Sequence, residues 1–178
     1  THALERARGI TIFSKQARIS TENREIVLVD TPGHMDFSAE AERTMSILDC
    51  AVLVISGTEG IQAHTLTLWR LLERYNVPVF LFINKMDLPG MEEAALMEQL
   101  QSQLSPGCTD FGADFDEIAE AAAMCDEALL ETYLETGIVT DNNLRELIAS
   151  RSLFPCCFGS GLKLEGIDRL LDILDLYA

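Results

Sequence analysis

Apolar residues in this chain fall into short runs separated by segments of helical period. Residues 11–19 (TIFSKQARI) and 24–30 (REIVLVD) are β-prone, and the polar stretch between them suits a turn, so a β-hairpin is expected first. After Asp36, a suitable N-cap, Phe37, Ala41, Met45 and Leu48 have helical spacing and lead into the continuous apolar run AVLVIS at 51–56. A helix from about Ile61 to Tyr75 follows, with Leu66, Trp69 and Leu72 on one face, then a strand at 79–83 and a helix at about 91–104. Short apolar strands alternating with amphipathic helices predict an α/β fold with a mainly parallel sheet covered on both sides. Residues 105–112 read as a polar turn, and Phe115, Ile118, Ala122, Cys125, Leu129 and Tyr133 as the buried stripe of one long acidic helix. A shorter helix from Asp141, a strand at 153–158 and a last amphipathic helix at about 166–176 complete the pattern.

Composition narrows the setting. A chain of 178 residues suffices for one α/β domain, and no run of 18 apolar residues occurs, so no membrane association is expected. A formal charge of −16 with only 13 Lys and Arg argues against direct nucleic-acid binding by this stretch. The five cysteines form no C-x-x-C pair, so free thiols in a reducing cytoplasm are the expectation.

Two motifs carry specific chemistry. The first is DTPGH, from Asp30 to His34, directly after the apolar residues Ile26 to Val29. Five fixed letters would match by chance in roughly one such chain in twenty thousand, and an ordinary Asp-Pro-Gly turn leaves the histidine unexplained. A carboxylate at a strand end can hold a magnesium-bound water, and Gly33 lets a backbone N–H approach a phosphate. The second is NKMD, with Asn84, Lys85 and Asp87 at the end of an apolar run. Its letters alone recur by chance in about one chain in fifty, but its chemistry is selective. One carboxylate accepts both the N1–H and the 2-amino group of guanine, whereas adenine presents a lone pair at N1 and is rejected. The FGSGLK stretch at 158–163 follows a third strand; there Ser160 could brace Asp87 and the Gly161 N–H could reach guanine O6. Thr11, in RGITI at 8–12, is a candidate magnesium ligand.

Together and in this order, ERARGITI, DTPGHMDF, INKMD and FGSGLKLEGI resemble the translational GTPases, in particular elongation factor G and the ribosomal protection proteins of tetracycline resistance. The resemblance implies a P-loop NTPase-like three-layer domain that binds GTP with Mg2+ and hydrolyses it on the ribosome. It implies that Thr11 and Asp30 serve the metal, that the Gly33 amide senses the γ-phosphate, and that His34 orients the attacking water past a gate to which Ile10 contributes. Asn84, Lys85, Asp87, Ser160 and Gly161 would hold the nucleotide base.

The chain departs from that pattern in one large respect. No G-x-x-x-x-G-K-[ST] stretch occurs, and the nearest spacing, Gly161 to Gly166, continues as Ile167 and Asp168. Residues 1–178 are therefore expected to be a partial GTP-binding domain, incomplete at its N-terminus, with an inserted helical segment at about 105–150. A strand missing between those ending at Asp30 and at Ser56 would leave open edges and a route to dimerisation. Residues from about 51 onward are expected to keep the family arrangement while 1–36 are displaced or disordered. The competing reading is a non-catalytic module unable to bind nucleotide. His2 and His64 read as solvent-facing, and Asp114, Asp116, Glu117 and Glu120 as a solvated helix face, not a cation site.

Overall fold

The computed structural model describes residues 15–21, 23–31, 44–90 and 92–178. They divide into two units, Thr1–Leu48 and Asp49–Ala178. In the first unit, β1 (Lys15–Ser20) and β2 (Glu25–Asp30) form the expected antiparallel hairpin, with Ser20 opposite Glu25 and Lys15 opposite Asp30. Thr21 closes the turn: its amide and hydroxyl both donate to the Arg24 carbonyl, at 2.9 and 3.0 Å, and its hydroxyl accepts from the Arg24 amide at 3.1 Å. The predicted helix after Asp36 begins outside the described residues.

The second unit is a four-stranded sheet in the order β3-β4-β6-β5, every pair parallel. Its strands are β3 (Ala51–Ser56), β4 (Val79–Asn84), β5 (Cys108–Asp110) and β6 (Phe154–Phe158). Val79 to Ile83 are all buried, as expected of an unbroken apolar run with neighbours on both edges and cover on both faces. On β3, by contrast, Leu53 and Ile55 are buried while Val54 is 57% exposed, so one face of that strand is covered and the other is open. Among the described residues β3 pairs only with β4, and β2 only with β1.

Six helices complete the unit: α1 (Ala63–Arg74), α2 (Glu93–Gln103), α3 (Phe115–Ala123), α4 (Glu127–Thr136), α5 (Asp141–Ala149) and α6 (Ile167–Tyr177). Helix α1 buries Trp69 and Leu72, with the Trp69 ring 4.7 Å from that of Phe154 on β6. The Arg151 guanidinium lies over both rings, at 5.2 and 5.3 Å from their centroids. At the other end of the sheet, Tyr177 packs edge-on against Phe111 and donates to the Asp141 carboxylate at 2.9 Å, joining α6 to α5.

Two expectations are corrected. Residues 105–112 are not merely a turn, since Cys108–Asp110 pair with β6 as an edge strand. The single long acidic helix is two helices, because the Asp126 carboxylate accepts the Leu129 amide at 2.8 Å and caps a fresh N-terminus. Helix α4 then stops at Gly137, whose φ of 68° is the left-handed conformation that ends many helices. The five cysteines are free thiols, three of them buried.

Candidate functional site

Strands β3, β4 and β6 run parallel, so their C-terminal ends lie along one rim: Ser56 pairs with Asn84, and Ile83 with Phe158. In open parallel sheets this rim is where ligands bind, because the connecting loops there are free to diverge. Here the loops converge on one side chain. Asn84 is the last residue of β4, and its Oδ1 accepts two backbone amides, Lys85 N and Gly161 N, each at 2.8 Å. Its main-chain carbonyl accepts the Gly57 amide at 2.7 Å. One residue thereby joins the loops that follow β3, β4 and β6. Two backbone bonds reinforce the junction: Met86 N to Gly159 O and Gly159 N to Ile83 O, both 3.0 Å.

This arrangement fixes the amide's orientation. Two N–H donors aimed at one terminal atom require oxygen there, so the Nδ2 group is left for an acceptor outside the loop junction. Lys85 takes φ 69°, a conformation uncommon for a residue with a Cβ, and the chain then turns through a Leu88 N to Lys85 O bond of 3.2 Å. Asp87 sits inside this turn, half-buried, and no described group bonds its carboxylate. Four lone-pair sites therefore remain for a ligand with adjacent N–H donors.

The loop after β6 is held just as firmly. Ser160 and Glu165 exchange two backbone bonds, each 3.0 Å, and the Ser160 hydroxyl accepts the Lys163 amide at 3.3 Å. A Cβ at Gly159 would lie 2.2 Å from the Glu165 carbonyl oxygen, so only glycine fits there. Ser160 thus braces its own loop and not Asp87, which corrects the expected partner. The Gly161 amide is likewise engaged by Asn84 instead of standing open.

Beside the junction lies a cavity of about 370 Å³, lined by Val54, Ser56, Glu59, His64, Asn84 and Lys85 among others. His64, expected to face solvent, lines it half-buried, with both ring nitrogens buried and without a partner among the described residues. Helical period alone could not reveal this, because the burial comes from the strand-end loops and not from the core stripe of α1. Asp30 is the exposed last residue of β2. Ile10, Thr11, Gly33 and His34 lie outside the described residues.

The site thus places an unbonded carboxylate, an amide group turned away from the loop junction and a lysine at one strand end of an α/β scaffold. The sequence profile of the elongation factor Tu GTP binding domain matches residues 1–178. An oxytetracycline resistance protein of Streptomyces rimosus is 34% identical over 94% of this chain, which spans 29% of that protein's length. A crystal structure from Thermus thermophilus superposes with a TM-score of 0.86 over 99% of the chain and 33% of its own, at 22% identity, a likeness of fold. The chain belongs to the elongation factor Tu GTP-binding domain family.

Proposed function

We propose that this chain is the guanine-nucleotide-binding domain of a ribosome-dependent translational GTPase that hydrolyses GTP to GDP and phosphate. The observation that carries the reading is the Asn84 junction, with the Asn84 Nδ2 group and, three residues on, the Asp87 carboxylate unengaged by any described group. Asp87 would accept the N1–H and 2-amino group, Asn84 Nδ2 would donate to the purine ring nitrogen, and the Lys85 stem would lie along the base. In the same reading Mg2+ supplies charge neutralisation on the phosphates, held by Thr11 and by Asp30 through water. Gly33 senses the terminal phosphate, His34 positions the attacking water and Ile10 belongs to the gate before it; these roles rest on the family resemblance. The matched oxytetracycline resistance protein supports tetracycline resistance as the parent role, and ribosomal protection with a cytoplasmic location is the form of it that the family resemblance implies.

The test is a titration of the 178-residue chain with guanosine and adenosine monophosphates, followed by backbone NMR. With no G-x-x-x-x-G-K-[ST] stretch in the sequence, affinity rests on the base reader and is expected on the order of millimolar, about −4 kcal/mol. Guanosine monophosphate should move the Asn84, Asp87 and Gly161 amides, and Asp87→Asn should transfer the preference to xanthosine monophosphate. Equal responses to adenine and guanine would refute the reading.

A further inference from the structure

The cavity beside the Asn84 junction reaches beyond the base reader, from Asn84 and Lys85 at the end of β4 to His64 and Thr65 in the first turn of α1. Its volume of about 370 Å³ lies within the roughly 300–1,000 Å³ of small-molecule sites. Both ring nitrogens of His64 are buried and have no partner among the described residues. Leaving buried polar atoms unpaired is costly, so the cavity calls for an occupant with polar atoms of its own. The helix end beside it favours negative charge. Among the six described helices only α1 carries no acidic residue in its first turn, so no carboxylate of its own meets its positive end. Lys85 and Glu59 bring opposite charges to the lining, but both are exposed and screened by solvent, which leaves the buried imidazole and the helix end to decide the preference.

We infer that this cavity is a phosphate subsite in which His64 hydrogen-bonds the phosphate tail of a bound guanine nucleotide. This rests on the guanine reading proposed above: the base lies at Asp87, and the tail turns past Asn84 and Lys85 toward α1. Asn84 and Lys85 belong both to the base reader and to the cavity lining, so a single ligand spans the two. An imidazole offers an N–H and a lone pair, or two donors once protonated, and phosphate oxygens accept from either form. His64 is then the residue through which this chain distinguishes a nucleotide from its nucleoside.

The 178-residue chain is titrated with guanosine, guanosine diphosphate and inorganic pyrophosphate, and binding is followed by NMR through the His64 ring signals, assigned by their loss in His64→Gln. Guanosine diphosphate should bind at least tenfold more tightly than guanosine, and pyrophosphate alone should shift the His64 ring signals. His64→Ala should cut the diphosphate advantage to about twofold or less. His64→Gln, whose amide keeps an N–H donor, should retain about threefold or more. Thr67→Ala, exposed on the same helix and outside the cavity, should keep the advantage whole. If guanosine binds but its diphosphate binds no more tightly, or if pyrophosphate leaves the His64 signals unmoved, the cavity holds water alone; the phosphate subsite is then overturned while the base reader stands. If guanosine itself does not bind, the guanine reading falls and the phosphate subsite with it.

Discussion

Asn84→Ala removes the carboxamide, and with its oxygen two loop bonds, so it measures how far the site is held together by that side chain. The lost acceptor bonded the Lys85 and Gly161 amides at 2.8 Å each, and each such bond contributes about 1 kcal/mol net. Lys85 must also keep φ 69°, a conformation that costs about 1 kcal/mol or more and that the first of those bonds helps to hold. The expected loss is about 2–3 kcal/mol, a fall of roughly 4–12 °C in melting temperature for a chain of this size. Asn84→Asp is the discriminating companion, because a carboxylate accepts both amides but has no N–H to offer a purine. It should melt within about 2 °C of the parent while losing the guanosine monophosphate response. Circular dichroism melts and the same NMR titration read the two effects separately. If Asn84→Ala melts with the parent, the loops are held by their backbone bonds alone and the side chain is no junction.

Further consequences follow from the same loops and the core behind them. Leu164 is 71% exposed at φ 62°, so Leu164→Asn should stabilise the domain by about 0.5–1 kcal/mol, read as a higher denaturation midpoint; no gain would mean that the leucine makes a contact worth its strain. Gly161→Ala places its Cβ 3.5 Å from the Asn84 side chain, an ordinary contact, and should change stability by less than about 0.5 kcal/mol, whereas Gly159→Ala meets a carbonyl at 2.2 Å and should cost about 2 kcal/mol or more. Burial pushes the Cys157 thiol from 9.0 up to about 12, with nearby Asp110 adding to the rise and Arg169 opposing it. The folded chain keeps that proton longer than the unfolded one, so this contribution is intact below pH 9 and is lost as pH climbs toward 12. The slope is at most about 1.4 kcal/mol per pH unit, and Cys157→Ala should flatten it in urea melts across that range.

What could be read from the sequence was whatever a repeating pattern or a fixed motif makes explicit. The strand ending at Asn84 was legible because burial on both faces demands an uninterrupted apolar run, and NKMD stood out because it follows that run directly. The three residues of β5 carry no such pattern; they are a strand only because β6 lies beside them. The break between α3 and α4 left a fainter trace, in that Asp126 followed by Glu127 is a helix start hidden within a period that runs on through Cys125 and Leu129. The partner of Ser160 was not legible, since nothing in FGSGLK announces that the loop closes on itself through Lys163 and Glu165.

In the proposed reading, the Asn84 junction would let the site select its base without closing on it. A loop that had to order itself around a base would lose part of the recognition energy to that ordering. Here the ordering is already complete: the loops after β3, β4 and β6 are bound to Asn84, and the left-handed turn at Lys85 is set before any ligand arrives. The side chain divides its two ends between these tasks, with Oδ1 turned to the protein and Nδ2 left to the ligand. The backbone turn from Lys85 to Leu88 carries Asp87, so the position of that residue, half-buried, is set before any base arrives. In the proposed reading, selection between purines then rests on charge, because the Asp87 carboxylate would meet N–H donors on guanine and a lone pair on adenine.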